Sequence, residues 1–122
     1  MTPDELSQRT KAFSLRVVKL VEALPKHAVG RHFSDQVLRS SSSVAANYRA
    51  ARRARSKKEF IAKISIVTEE ADESAFWLEM IRDAELIKPT RIKPLHEEAE
   101  ALTRLFAKSR RTASRSKKPP NH

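Results

Sequence analysis

The sequence predicts an all-α protein, an antiparallel up-down-up-down four-helix bundle, and three observations carry that reading. Four stretches repeat apolar residues at alternating steps of three and four, which places them on one face of a helix. No segment sustains the two-residue alternation of a half-buried strand. The chain of 122 residues holds a single glycine and breaks its periodic stretches at Pro25 and Pro89 and at a basic corner near Ser56, so helices joined by short turns account for nearly its whole length.

The first helix is expected from Thr2 to Leu24. Thr2 can cap it, Pro3 suits the first helical position, and Glu5 completes a capping box. Leu6, Phe13, Val17, Leu20, Val21 and Leu24 form its stripe, Thr10 fills the gap, and Pro25 stops it. Residues 25–33 are expected to be a connection in which Gly30 takes a backbone shape that other residues resist. Ser34 is the expected cap of the second helix, with Asp35 in its first turn. Its face is Val37, Ser41, Val44, Tyr48 and Ala51, assisted by Ser40. Serines 40–43 are weak helix formers, but their small side chains let a neighbouring helix approach closely.

The third helix is expected from Lys57 to about Glu85, opened by a capping box of Ser56 and Glu59. Phe60, Ile64, Val67, Ala71, Ser74, Leu78 and Ile81 make a nearly unbroken face. Ile66 and Trp77 widen it. That width fits either burial on two sides within one bundle or a subunit contact anchored by a large aromatic. Thr90 or Lys93 precedes the fourth helix, Pro94 fits its first turn, and Ile92, Leu95, Ala99, Leu102 and Phe106 are its stripe, with Leu105 alongside. From Ser109 the chain is Arg, Lys, Ser and Pro without apolar periodicity. The expected organisation is one bundle over residues 1–108 and a disordered basic tail over 109–122.

Charge is partitioned sharply. The net charge is +10, of which Lys108, Arg110, Arg111, Arg115, Lys117 and Lys118 contribute six. Residues 49–63 carry seven Lys/Arg against one acid, and residues 69–85 carry seven acids against Arg82 alone. Arg49, Arg52, Arg53, Arg55, Lys57 and Lys58 sit where the second helix passes into the third, so several can reach one phosphate backbone. No aromatic residue interleaves with them, which points to phosphate contact rather than base stacking. The competing reading of this corner is a solvated helix end whose arginines meet nearby acids.

The acidic run excludes more than it suggests. Glu69, Glu70 and Glu73 form E-E-x-x-E, half of the magnesium site of all-α nucleotide pyrophosphohydrolases, but the complementary E-x-x-D is missing because Arg82 follows Glu79 at that spacing. No glutamate has a histidine three residues later, as a di-iron bundle requires. His27, His32 and His96 lack convergent ligands, and serines 40–43 lack a histidine–acid partnership. No metal, cofactor or catalytic residue is expected. Glu70 falls inside the widened apolar arc, about 80° from Phe60, and Glu73 lies on the same flank. Carboxylates so placed need partners, for which Arg39, Asn47 and Arg49 are the candidates. The chain has no cysteine, no signal-peptide core and no apolar run near the ~20 residues that span a bilayer, so a cytoplasmic protein without membrane contact is expected.

Asn47 and Tyr48 within ANYRAA, then RARSKKEFIAK, IVTEEADES, and Phe76, Trp77 and Leu78 form a long compound pattern. Over Val44 to Leu78 it resembles the 23S rRNA-intervening-sequence proteins, a family of four-helix bundles. A weaker likeness runs through most of residues 8–107, including EEAEAL. Ala50-Ala51 stands where many members have Glu-Gly, and Ser41 to Ser43 replaces a more apolar or glycine-containing segment. The resemblance implies a homo-oligomer, typically a ring of five. It also implies kinship with the accessory variability determinant proteins of diversity-generating retroelements, pentameric rings that bind nucleic acid and a reverse transcriptase. The family name records a genomic location, not a reaction. The expected function is a non-enzymatic oligomeric bundle that binds RNA, DNA or a nucleic-acid enzyme. The alternative is a structural or protein-interaction module without nucleic-acid contact.

Overall fold

A computed structural model describes residues 1–116. Four helices follow in order: α1 (Pro3–Glu22), α2 (Ala28–Arg52), α3 (Lys57–Asp83) and α4 (Pro89–Arg115), with no strand among the described residues. Each helix packs on its sequence neighbour, and α1 closes the bundle against α4 over the smallest of the four interfaces. The chain is an all-α, up-down-up-down four-helix bundle.

The four apolar stripes meet in one core, where Phe13, Val17, Val37, Val44, Ile64, Val67, Leu78, Ile92, Leu102 and Phe106 are almost fully buried. Two details fix how the helices approach. Ser40 of α2 and Ser74 of α3 face each other with their hydroxyls 2.9 Å apart, and Ser74 also donates to its own helix at the Glu70 carbonyl, 2.8 Å away. The small pair brings the two backbones close while leaving its polar atoms satisfied. Across the diagonal, the rings of Tyr48 on α2 and Phe106 on α4 pack 5.2 Å apart. Burial there pushes the Tyr48 phenol above its ordinary pKa by stripping water from the charged form.

The capping box of α1 forms as the sequence predicts, with the Thr2 hydroxyl accepting from the Glu5 amide at 3.1 Å and the Glu5 carboxylate from the Thr2 amide at 3.2 Å. Helix α3 forms only half of its expected box: the Ser56 hydroxyl accepts from the Glu59 amide at 3.0 Å, and the Glu59 carboxylate makes no return bond to the Ser56 amide. Elsewhere the structure corrects the expected boundaries. Helix α2 begins at Ala28 rather than after Ser34, with the imidazole Nδ1 of His27 accepting from the Gly30 amide at 3.1 Å. Gly30 therefore lies inside the first helical turn, at negative φ, and its glycine identity answers a steric demand. A Cβ there would stand 2.0 Å from the Pro25 carbonyl oxygen.

Helix α3 ends at Asp83 in a Schellman motif, with the Leu86 amide returning to the Ile81 carbonyl at 3.2 Å and Glu85 in the left-handed region at φ 55°. Helix α4 begins at Pro89 instead of after Thr90 or Lys93, which leaves Pro94 beyond the first turn. The largest correction is the tail. Residues 109–115 continue α4 instead of being disordered, while Lys117 and Lys118 lie outside the described residues.

Candidate nucleic-acid interface

Antiparallel packing gathers the start of α1, the α2–α3 connection and the end of α4 at one end of the bundle. That end collects Arg49, Arg52, Arg53, Arg55, Lys57 and Lys58 beside Arg110, Arg111 and Arg115. The cations divide by what they touch. Arg52 Nη1 lies 2.8 Å from the Asp4 carboxylate and donates to the Ser7 hydroxyl at 3.0 Å, which ties α2 to α1. The Lys57 ammonium donates to the carbonyls of Ser114 and Ser116, so it neutralises the negative end of the α4 dipole. Arg110 Nε donates to the Ser65 hydroxyl of α3 at 2.8 Å. These three hold the helix ends together.

Arg49, Arg53, Arg55 and Lys58 are exposed, and none has an ion pair or side-chain hydrogen bond among the described residues. Arg49 and Arg53 also line an open groove of about 760 Å³ between α1 and α2, with Lys11 on its other wall. Arg111 and Arg115 are exposed and unpartnered among the described residues too. Sequence reasoning missed Lys11, Lys108 and Arg104 as members of this cationic surface. The steps of four, three and four that join Arg104, Lys108, Arg111 and Arg115 were the available signal.

The structural residues occupy the α2–α3 flank. Arg39 reaches across from α2 and pairs with both acids, its Nη1 lying 3.0 Å from Glu70 and its Nη2 contacting Glu73. Those hydrogen bonds, the one to Glu70 foremost, hold the guanidinium pKa above its ordinary value. Glu73 also accepts from Trp77 Nε1 at 3.2 Å. Asn47 and Arg49 do not take part: the Asn47 amide donates to the Ser43 carbonyl and hydroxyl at 3.0 and 2.8 Å. Trp77 packs partly against its own core and gathers Phe33, His32 and Phe76 around it, with ring centroids 5.7, 5.6 and 4.9 Å away. Phe76 remains exposed beside it at 49%, and Ile66, at 37%, is exposed about three turns earlier on α3.

His96 bridges α3 and α4 rather than standing at an open surface, with Nε2 2.7 Å from Glu79 and Nδ1 3.5 Å from Glu100. Among the described residues no group of three or more His, Asp or Glu side chains is placed to hold a metal ion. No described helix is long and apolar enough to cross a membrane.

Comparison with curated proteins found no match. A solved structure from Bacteroides thetaiotaomicron, described as a protein with unknown function from the S23 ribosomal protein family, superposes with a TM-score of 0.83. It is 28% identical and the likeness covers 91% of this chain and 99% of that one. The sequence model of the 23S rRNA-intervening sequence proteins matches residues 4–108, which take in all of the core-forming segments. The chain belongs to the 23S rRNA-intervening sequence protein family.

Proposed function

We infer that this protein is a non-enzymatic, oligomeric bundle whose basic end binds RNA or DNA through sequence-tolerant phosphate contacts. The observation that carries the reading is the division of cations at that end. Arg52, Lys57 and Arg110 serve the fold, whereas Arg49, Arg53, Arg55 and Lys58 are exposed with no described partner. A bundle gains nothing in stability from concentrating like charge, so this excess suits an anionic partner. The test is fluorescence anisotropy of labelled RNA and DNA over a salt series. Logarithmic affinity should fall linearly with logarithmic salt, and Arg49→Glu, Arg53→Glu and Lys58→Glu together should remove most of the binding without altering helicity. Unchanged affinity in that variant would reject the corner as a contact.

A second reading, docking onto protein, is supported by two exposed apolar residues of α3, Ile66 and Phe76, the latter beside Trp77. Its nearest form is self-association, with five subunits as the count the family resemblance implies and a reverse transcriptase as an outside partner of the retroelement kind. Light scattering at micromolar concentration tests the first: a strict monomer would reject it. Co-purification with a reverse transcriptase from the same genome tests the second.

A further inference from the structure

Helix α4 continues nine residues beyond Phe106, its last buried residue, and buries no large apolar side chain over that distance. The extension is nonetheless held: Arg110 donates to Ser65, Lys57 to the carbonyls of Ser114 and Ser116, and Ala113 packs against the core's edge. What this anchoring orders is the opposite face. Arg104, Lys108, Arg111 and Arg115 follow at steps of four, three and four, so their side chains share one helical face and span about 16 Å of axis. All four are exposed and have no described partner. No acid occurs between residues 101 and 116.

We propose that this face of α4 is a rigid rail for the phosphate backbone of double-stranded nucleic acid. The inference rests on the nucleic-acid reading of the basic end and names the form of nucleic acid bound. A duplex is stiff over far more than the rail's length, so its phosphates are already ordered in a line that a fixed row of cations can meet. A single strand would have to be straightened, and proteins that hold single strands offer exposed aromatics for the bases. The aromatics nearest this end, Tyr48, Phe60 and Phe106, are buried. The exposed Phe76 lies towards the other end of α3. The face of α4 opposite the rail packs on the bundle through Leu102, Phe106 and Ala113, so the rail lies along a backbone and does not enter a groove to read bases.

The experiment compares wild type with three full-length variants on a 30-base-pair duplex and on its separated strands, by anisotropy over a salt series. In the rail variant, Arg104→Gln, Lys108→Gln, Arg111→Gln and Arg115→Gln are combined. In the corner variant, Arg49→Gln, Arg53→Gln and Lys58→Gln are combined. Ser109→Pro keeps every charge but interrupts the helix; Thr112→Pro, farther from the core, replaces it where Ser109→Pro lowers global melting. The rail should bind duplex more tightly than single strands. Losing it should lower duplex affinity about ten-fold or more and flatten the salt slope by roughly three to four units. The proline variant should lose much of the same affinity. Full duplex binding by the rail variant overturns the rail, as does an unaffected proline variant or equal binding of single strands. Loss confined to the corner variant leaves the basic-end reading standing and rejects only the rail. A wild type that binds neither form at low salt rejects both.

Discussion

The two ends of the bundle solve the same mechanical problem with different residues. At the far end, charges of both signs alternate and meet locally, as in Lys19 with Glu22 and Arg82 with Asp83. Its turns are shaped by sterics, with Gly30 against the Pro25 carbonyl and Glu85 in a left-handed conformation. At the basic end the acids are few, and two of them are engaged: Asp4 with Arg52, Glu5 with the Thr2 amide. The far end also carries exposed cations without a described partner, Lys88, Arg91 and Lys93, but Asp35, Glu85 and Glu97 stand among them, whereas the basic end holds a clear excess of positive charge. That contrast is why the basic excess is assigned to binding and the far end to architecture.

The comparison breaks most readily at Gly30. Gly30→Ala should destabilise by about 1–3 kcal/mol, because the new methyl must push aside a backbone carbonyl rather than a flexible side chain. Chemical denaturation measures this, and a neutral result would mean that the far end is not sterically tight. Glu85→Gly should act in the other direction, raising stability by about 0.5–1 kcal/mol through relief of the left-handed residue. A drop in melting temperature would count against the strain assigned there.

The basic end is sharpened by separating its two kinds of cation. Arg52→Met and Lys57→Met should each cost about 0.5–1 kcal/mol, a modest figure because solvent screens partly exposed pairs. Arg53→Gln and Lys58→Gln should fall within about 0.5 kcal/mol of wild type. Equal effects in the two sets would erase the division between structural and free cations. The smallest effect is expected at Glu5, whose pKa is lowered chiefly by the hydrogen bond from the Thr2 amide and then by the Thr2 hydroxyl. A depressed carboxylate stabilises the fold at neutral pH and loses that contribution as pH falls through the depressed value. Acid should thus fray the first turn of α1 in wild type, and Glu5→Gln should abolish that pH dependence in amide chemical shifts.

The fold was legible wherever apolar spacing and local caps agreed. Ser56 with Glu59 announced α3, and Thr2 with Pro3 and Glu5 announced α1. The start of α2 was hidden because Ser34-Asp35 resembles a cap while the real one, His27, is an uncommon residue for that role. Pro94 drew the start of α4 too late because Pro89 fits the first helical position equally well. Residues 109–115 were illegible for a different reason: Ala113 is their only apolar side chain and sets no period, and the polar contacts that hold the segment come from Lys57 and Ser65 on another helix. The same limit applied to the basic corner. Its charge was plain in the sequence, but Arg52 and Lys57 could be told from their neighbours only by what lies across the bundle.

The unequal packing of the four helices bears on how the molecule opens. Helix α3 has large interfaces on two sides, whereas α1 leans mainly on α2 and reaches α4 over a narrow contact anchored by Arg9 and Glu98, whose paired atoms are 2.7 Å apart. Cooperative units with fewer tertiary contacts open first, so the native state should not breathe uniformly. Amide hydrogen exchange should rank α1 as the least protected helix and the middle of α3 as the most. Weakening the Arg9–Glu98 tie should speed exchange in α1 while leaving α3 unchanged, so that one helix acts as a hinged leaf on a three-helix frame.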